Sequence, residues 1–157
     1  MQCIPIPPPP GAFVFHTECF YDDLDGQMLL HHPRYLAFVE RAQQAWLEKV
    51  LEAPRFDWRG FPDMYLVVRK LEIEFEASIN DVMPFDVVLW CEGLRAATMT
   101  TGFCIQSAQG DRVFAYGRRV NCRVSQDDHR PLMWTELFAE RFGEEMRLAQ
   151  QAGLRIL

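Results

Sequence analysis

Between Arg34 and Glu52 apolar residues recur at three- and four-residue spacing, through Tyr35, Phe38, Val39, Ala42, Trp46, Val50 and Leu51. Glu40, Arg41, Gln44, Glu48 and Lys49 fill most of the other positions. That spacing predicts a helix of about five turns with one wide apolar stripe. Pro33 suits its first turn, where a missing N–H is no loss. Upstream, Gly11 to Phe20 alternates and is rich in aromatic and β-branched residues, so it predicts a strand. Downstream, Ala53 to Asp63 carries two prolines and a glycine and reads as a connecting loop.

After that loop the period changes from 3.6 to 2. Arg69, Leu71, Ile73, Phe75 and Ala77 alternate with Lys70, Glu72, Glu74 and Glu76, predicting a half-buried strand with an acidic outer face. Phe85 to Gly93, Thr98 to Ala108 and Arg112 to Val124 predict three more strands, with Gln109-Gly110-Asp111 as a hairpin turn between the last two. Asp127 to Pro131 ends this region, and Trp134 to Gln151 predicts a second amphipathic helix through Leu137, Phe138, Phe142 and Met146. A strand, a long helix and four closely connected strands suggest a meander. The fold class is therefore α+β, an antiparallel sheet with one buried face curled over the long helix, plus a C-terminal helix. Three segments are expected: a proline-rich arm over 1–11, one domain over 12–131, and a helical extension over 132–157 packed on it.

Composition narrows the function classes. A chain of 157 residues, 49% hydrophobic and 24% charged, can bury a core and suits one soluble domain. No run of about 18 apolar residues predicts a membrane span. The start MQCIPIPPPPGAF lacks the basic and apolar regions of a signal peptide. Pro7 to Pro10 predict an extended polyproline arm. The five cysteines, Cys3, Cys19, Cys91, Cys104 and Cys122, form no CxxC pair, which fits reduced thiols in a cytoplasmic protein. A net charge of −6 disfavours nonspecific nucleic-acid binding.

Candidate chemistry gathers between the first strand and the long helix, in FYDDLDGQMLLHHPRY. Asp22, Asp23 and Asp25 follow Tyr21 in an acidic loop, and His31-His32 stand at the helix entrance. An acid, an imidazole and the unpaired N–H groups of a helix start can together attack a carbonyl and hold the resulting oxyanion. The same residue types also serve as plain capping and packing groups. A metal site from Asp25, His31 and His32 is not expected, because no third nitrogen or sulfur ligand stands at the usual spacing. Neither a serine-hydrolase elbow nor a glycine-rich phosphate loop is present.

Tyr21, Asp25, His32 and Tyr35, at successive offsets of four, seven and three, carry a resemblance. The stretch resembles the run YxDTDxxGxVYHxxYxxxFExAR of the 4-hydroxybenzoyl-CoA thioesterase and YbgC-like branch of hotdog-fold acyl-CoA thioesterases. Tyr35, Phe38, Glu40, Arg41 and Ala42 echo its tail. Leu24 replaces the usual threonine, and Met28 stands where glycine is usual. The resemblance implies a hotdog fold and hydrolysis of an acyl-CoA, with coenzyme A as part of the substrate and no other cofactor. It implies that Asp25 acts as nucleophile or general base, that His32 assists, and that a backbone N–H near His32 holds the oxyanion. Tyr21 is expected to position Asp25, and the aromatics Tyr21, Tyr35, Phe38 and Trp46 to surround the site. Glu40 is a reserve acid, since another hotdog branch uses a helix glutamate; its plain reading is a surface neighbour of Arg41.

Coenzyme A phosphates need cations, and Arg118, Arg119, Arg123 and Arg130 offer a cluster at the last strand, with Arg118 expected to be buried with a partner or at an interface. Aromatic faces beside carboxylates favour a short-chain, aromatic or betainyl acyl group, the last by a fainter likeness to betainyl-CoA thioesterases. The resemblance and the exposed sheet edges imply a homodimer or homotetramer. Two other functions stay open at this point: a hydratase or dehydratase acting on a 3-hydroxyacyl thioester, and a noncatalytic module binding acyl thioesters.

Overall fold

A computed structural model describes residues 7–151. Cys3 and the ends of the expected arm and extension lie outside the described residues. The elements are β1 (Phe13–Glu18), α1 (His32–Leu51), β2 (Leu66–Phe75), β3 (Pro84–Leu94), β4 (Thr98–Ser107), β5 (Val113–Arg123) and α2 (Glu136–Gln151). Among the described residues no helix is long and apolar enough to cross a membrane. The end of the proline run folds back rather than extending: Ala12 N donates to Pro9 O at 3.0 Å, and Pro9 is buried.

The five strands form one antiparallel sheet in the order β1-β3-β4-β5-β2. The expected meander holds for β3, β4 and β5 only. β2 pairs with β5 at the far edge, so between Phe75 and Pro84 the chain must pass both β5 and β4 to reach β3. Three contacts pin this crossing. The fully buried Ile79 gives its N–H to the Tyr35 hydroxyl at 3.1 Å and accepts Leu30 N at 2.8 Å, and Met83 O accepts Cys19 N at 2.9 Å. Its anchors are thus α1 and the two ends of the acidic loop.

α1 begins at His32 with Pro33 in its first turn and lays Tyr35, Phe38, Val39, Ala42, Trp46 and Leu47 against the sheet. Facing them are Val87, Leu89, Met99, Phe103 and Ile105, all buried. Phe38 meets Phe85 edge-on with ring centroids 4.9 Å apart. Each such side chain contributes roughly 1.5–3 kcal/mol by leaving water. The helix stops where Glu52 turns left-handed, at φ 53°, with its N–H on Glu48 O and Lys49 O.

α2 starts two residues later than its apolar pattern suggests, because Thr135 caps it: Phe138 N donates to Thr135 Oγ1 at 3.3 Å. Buried Asp63 in turn accepts Thr135 N at 3.0 Å. Trp134, Phe138 and Phe142 stack in series, and Phe142 meets Trp46 edge-on at 5.0 Å. The extension therefore shares the core of α1.

β2 corrects a second expectation. Leu66 and Ile73 are half-buried and every other residue of the strand is exposed, Val68 and Phe75 to about half their area. Alternation marked the strand correctly, but both faces of this edge strand are largely exposed, so one polar and one apolar face do not make it half-buried. A bulge between Val68 and Lys70 further shifts the register.

Candidate active site

β1 runs into a short 3-10 turn over Tyr21–Asp23, which delivers the acidic loop to the start of α1. Asp23, not Asp25, is the buried carboxylate. Its Oδ2 accepts Phe20 N at 3.0 Å, its carbonyl accepts His31 N at 3.1 Å, and Arg34 Nη1 lies 3.7 Å from Oδ1. Asp23 thereby ties the end of β1 to the helix entrance. Sequence reading missed this role because three acids in four positions look alike.

Beyond it, Leu24 and Leu30 bridge to close the base of a tight loop. Asp25 organises the interior. Its N–H reaches Leu29 O at 2.8 Å, its carbonyl accepts Met28 N at 3.0 Å, and its Oδ1 accepts Gln27 N at 2.8 Å and Leu29 N at 3.2 Å. Oδ2 has no hydrogen-bond partner among the described residues, and the residue is half-buried. One carboxylate oxygen is therefore held by the backbone while the other is open to a reactant. Met28, where the family pattern has glycine, adopts φ 61°. A methionine thus holds a left-handed position that glycine would take without strain, while Gly26 has no positive φ.

His31 and His32 are exposed, their ring centroids 5.0 Å apart at 59°. His31 occupies the N-cap position with no side-chain cap. As first residue of α1, His32 has an N–H with no intrahelical acceptor, and Pro33 has no N–H to compete for one. The positive end of the helix dipole thus meets the acidic loop where an oxyanion would be stabilised.

The remaining expected residues are placed as follows. Tyr21 is 74% exposed and makes no hydrogen bond to Asp25 among the described residues. Tyr35 lies in the core, its ring edge-on to Phe75 at 5.2 Å and its hydroxyl engaged by Ile79 N; burial raises its pKa. It holds the crossing segment rather than lining open space.

Arg118 and Arg119 sit on opposite faces of the sheet, because successive strand residues alternate. Arg118 Nε pairs with Glu92 Oε2 at 2.5 Å on the outer face, and Arg119 Nη2 pairs with Glu40 Oε2 at 2.5 Å under α1. They cannot cradle one phosphate together. Arg118 has an ion-pair partner, but both it and Glu92 are half-buried rather than buried. Glu40 lies at the surface as its plain reading has it, its side chain 66% exposed, but its partner is Arg119 of the sheet. Arg123 joins neither: Nη1 is 3.5 Å from buried Asp63. Arg130 is exposed and paired with Asp128.

No protein-family model matches the chain. No curated protein matches its sequence. Solved structures do match. A 1,4-dihydroxy-2-naphthoyl-CoA thioesterase from Synechocystis superposes with a TM-score of 0.74 at 14% identity, covering 85% of this chain and 97% of that one. A DHNA-CoA thioesterase from Staphylococcus aureus superposes with a TM-score of 0.77 at 16% identity, covering 91% and 96%. Likeness at such low identity is a likeness of fold. With its curled five-stranded antiparallel sheet around a long helix, the chain has the hotdog fold.

Proposed function

We propose that the chain hydrolyses an acyl-CoA thioester to the free acid and coenzyme A. The observation that carries this reading is the Asp25 carboxylate, half-buried, with Oδ1 fixed by two backbone N–H groups and Oδ2 free, in the loop that enters the uncapped start of α1. The fold shared with two acyl-CoA thioesterases supports it. Oδ2 either attacks the thioester carbonyl, forming a mixed anhydride that water opens, or takes a proton from an attacking water. In both routes negative charge develops on the carbonyl oxygen, and the His32 N–H at the dipole end receives it. The exposed His32 imidazole assists proton transfer to the leaving thiolate.

The acyl group in this reading is short-chain, aromatic or betainyl. The aromatic residues and acidic balance of the sequence suggest that range, and the betainyl member comes from the fainter likeness to betainyl-CoA thioesterases. The working species is a homodimer or homotetramer. β2 has β5 on one side only and exposes Val67, Val68, Leu71 and Phe75, an edge that a second copy of the chain would cover.

The test is free-thiol release from short, long, aromatic and betainyl acyl-CoA substrates, run beside Asp25→Asn. The variant keeps both backbone hydrogen bonds, because an amide oxygen also accepts, so it should stay folded. Selective hydrolysis that falls by about 10²–10⁴-fold in the variant supports the assignment. Unchanged turnover by Asp25→Asn would overturn it.

A further inference from the structure

A groove of about 220 Å³ opens between α1, the start of β2 and the inner face of β5. Its polar wall holds an unusual set of side chains. Arg119 is 5% exposed, yet its Nε has no hydrogen-bond partner, and its one ion-pair partner among the described residues is Glu40. Gln43, 3% exposed, donates Nε2 to Asn121 Oδ1 at 2.8 Å and leaves Oε1 unpaired. Outside the groove's lining, Thr101, fully buried and opposite Arg119 in the strand ladder, also has an unpaired hydroxyl. Leaving a buried polar atom unpaired costs about 1–3 kcal/mol, and an apolar residue at these positions would avoid the cost.

Arg119 is permanently charged, and its Nε and Nη2 form the side-on fork that a carboxylate fills with two parallel bonds. Glu40 occupies only the Nη2 arm, and its side chain is 66% exposed. A buried cation is thus held by a solvent-facing counter-ion at a single point. Leu47, Phe56, Met64 and Leu66 supply apolar surface beside it. The volume, roughly that of seven waters, suits a small molecule.

We infer that this groove binds a free carboxylic acid with a compact apolar body. The carboxylate takes both arms of the Arg119 fork in place of Glu40, and the body lies on Leu47, Phe56, Met64 and Leu66. Glu40 and Gln43 stand eight and eleven residues along α1 from His32, about 12 and 16 Å at helical rise, so the groove is separate from the Asp25 loop. The inference does not depend on the thioesterase reading, although such acids are what that reaction would release.

Benzoate and hexanoate titrated into the full chain, against benzamide and hexanamide, test it by ¹H–¹⁵N NMR with side-chain Arg Nε–H detection. The acids should bind and shift one buried guanidinium signal that Arg119→Gln removes, and the amides should not. Should Arg119→Gln fail to fold, the exposed variant Glu40→Gln decides. Removal of the competing carboxylate should tighten acid binding by about fivefold, the factor for roughly 1 kcal/mol. Acids and amides binding alike, no acid binding into the millimolar range, or an affinity unmoved or weakened by Glu40→Gln would each overturn the inference.

Discussion

Asp25 and Met28 close one turn between them: the Met28 N–H donates to the Asp25 carbonyl at 3.0 Å while Met28 itself sits at φ 61°. A side chain in that region costs about 1–2 kcal/mol. The Met28 side chain is 48% exposed and returns little through packing. Met28→Gly should therefore stabilise the fold by about 0.5–1 kcal/mol after the added chain entropy of glycine is subtracted. Urea unfolding of the two proteins measures this. A less stable glycine variant would mean that the methionine side chain holds the loop.

Two backbone N–H groups on Asp25 Oδ1 also separate architecture from chemistry. Asp25→Ala removes both bonds and should cost about 1–3 kcal/mol. Asp25→Asn should cost well under 1 kcal/mol, because its oxygen accepts from the same groups. Catalysis should suffer in both. If the alanine variant unfolds at the wild-type urea midpoint, the carboxylate is not what shapes this loop.

Much of this was readable from the chain, and the failures share a cause. Alternation and three-four spacing report how a residue faces its own element, so α1 and every strand were found near their observed limits. They carry no information on which strands are neighbours. The crossing after Phe75 was invisible because Ile79, its fully buried anchor, stands between polar Ser78 and Asn80 and shares no periodic pattern with its neighbours. Arg118 and Arg119 looked like one cluster in sequence, although alternation separates them. Gln43 did carry a signal, since it stands on the apolar stripe four residues from both Val39 and Leu47. Its partner Asn121 gave none by itself. In the acidic loop, residue types marked the region, whereas the division of labour between Asp23 and Asp25 depends on hydrogen bonds that spacing does not encode.

Close backbone approach explains two strand glycines. A Cβ on Gly117 would lie 1.9 Å from the Glu72 carbonyl oxygen and 2.7 Å from Phe103 Cζ. One on Gly102 would meet the Trp90 ring at 2.3 Å, where Trp90 Nε1 donates to Glu92 Oε1. Overpacking typically costs about 1–3 kcal/mol. Gly117→Ala should reach the upper end or prevent folding, because backbone must move, and it should loosen β2. Gly102→Ala should cost less, since a side chain can give way. Thermal unfolding ranks them, and equal losses would contradict the backbone argument.

Alkaline pH should unfold this protein earlier than its exposed groups alone would. Burial pushes the Cys91 thiol from 9.0 up to about 12 and Cys104 up to about 11. Cys19 rises to about 11 through burial, reinforced by Asp23, Asp22 and Asp81. In each case the folded state holds its proton after the unfolded state has lost it. Stability is then complete below about pH 9, and it declines as pH rises from 9 toward the folded values. Unfolding free energy should fall steadily between about pH 8.5 and about pH 10.5. Cys91→Ala, weakened at every pH by its cavity, should decline with a shallower slope because one of the three thiols no longer titrates. Parallel slopes for the two proteins would show that Cys91 ionises as readily folded as unfolded, and would remove it as a source of the alkaline loss.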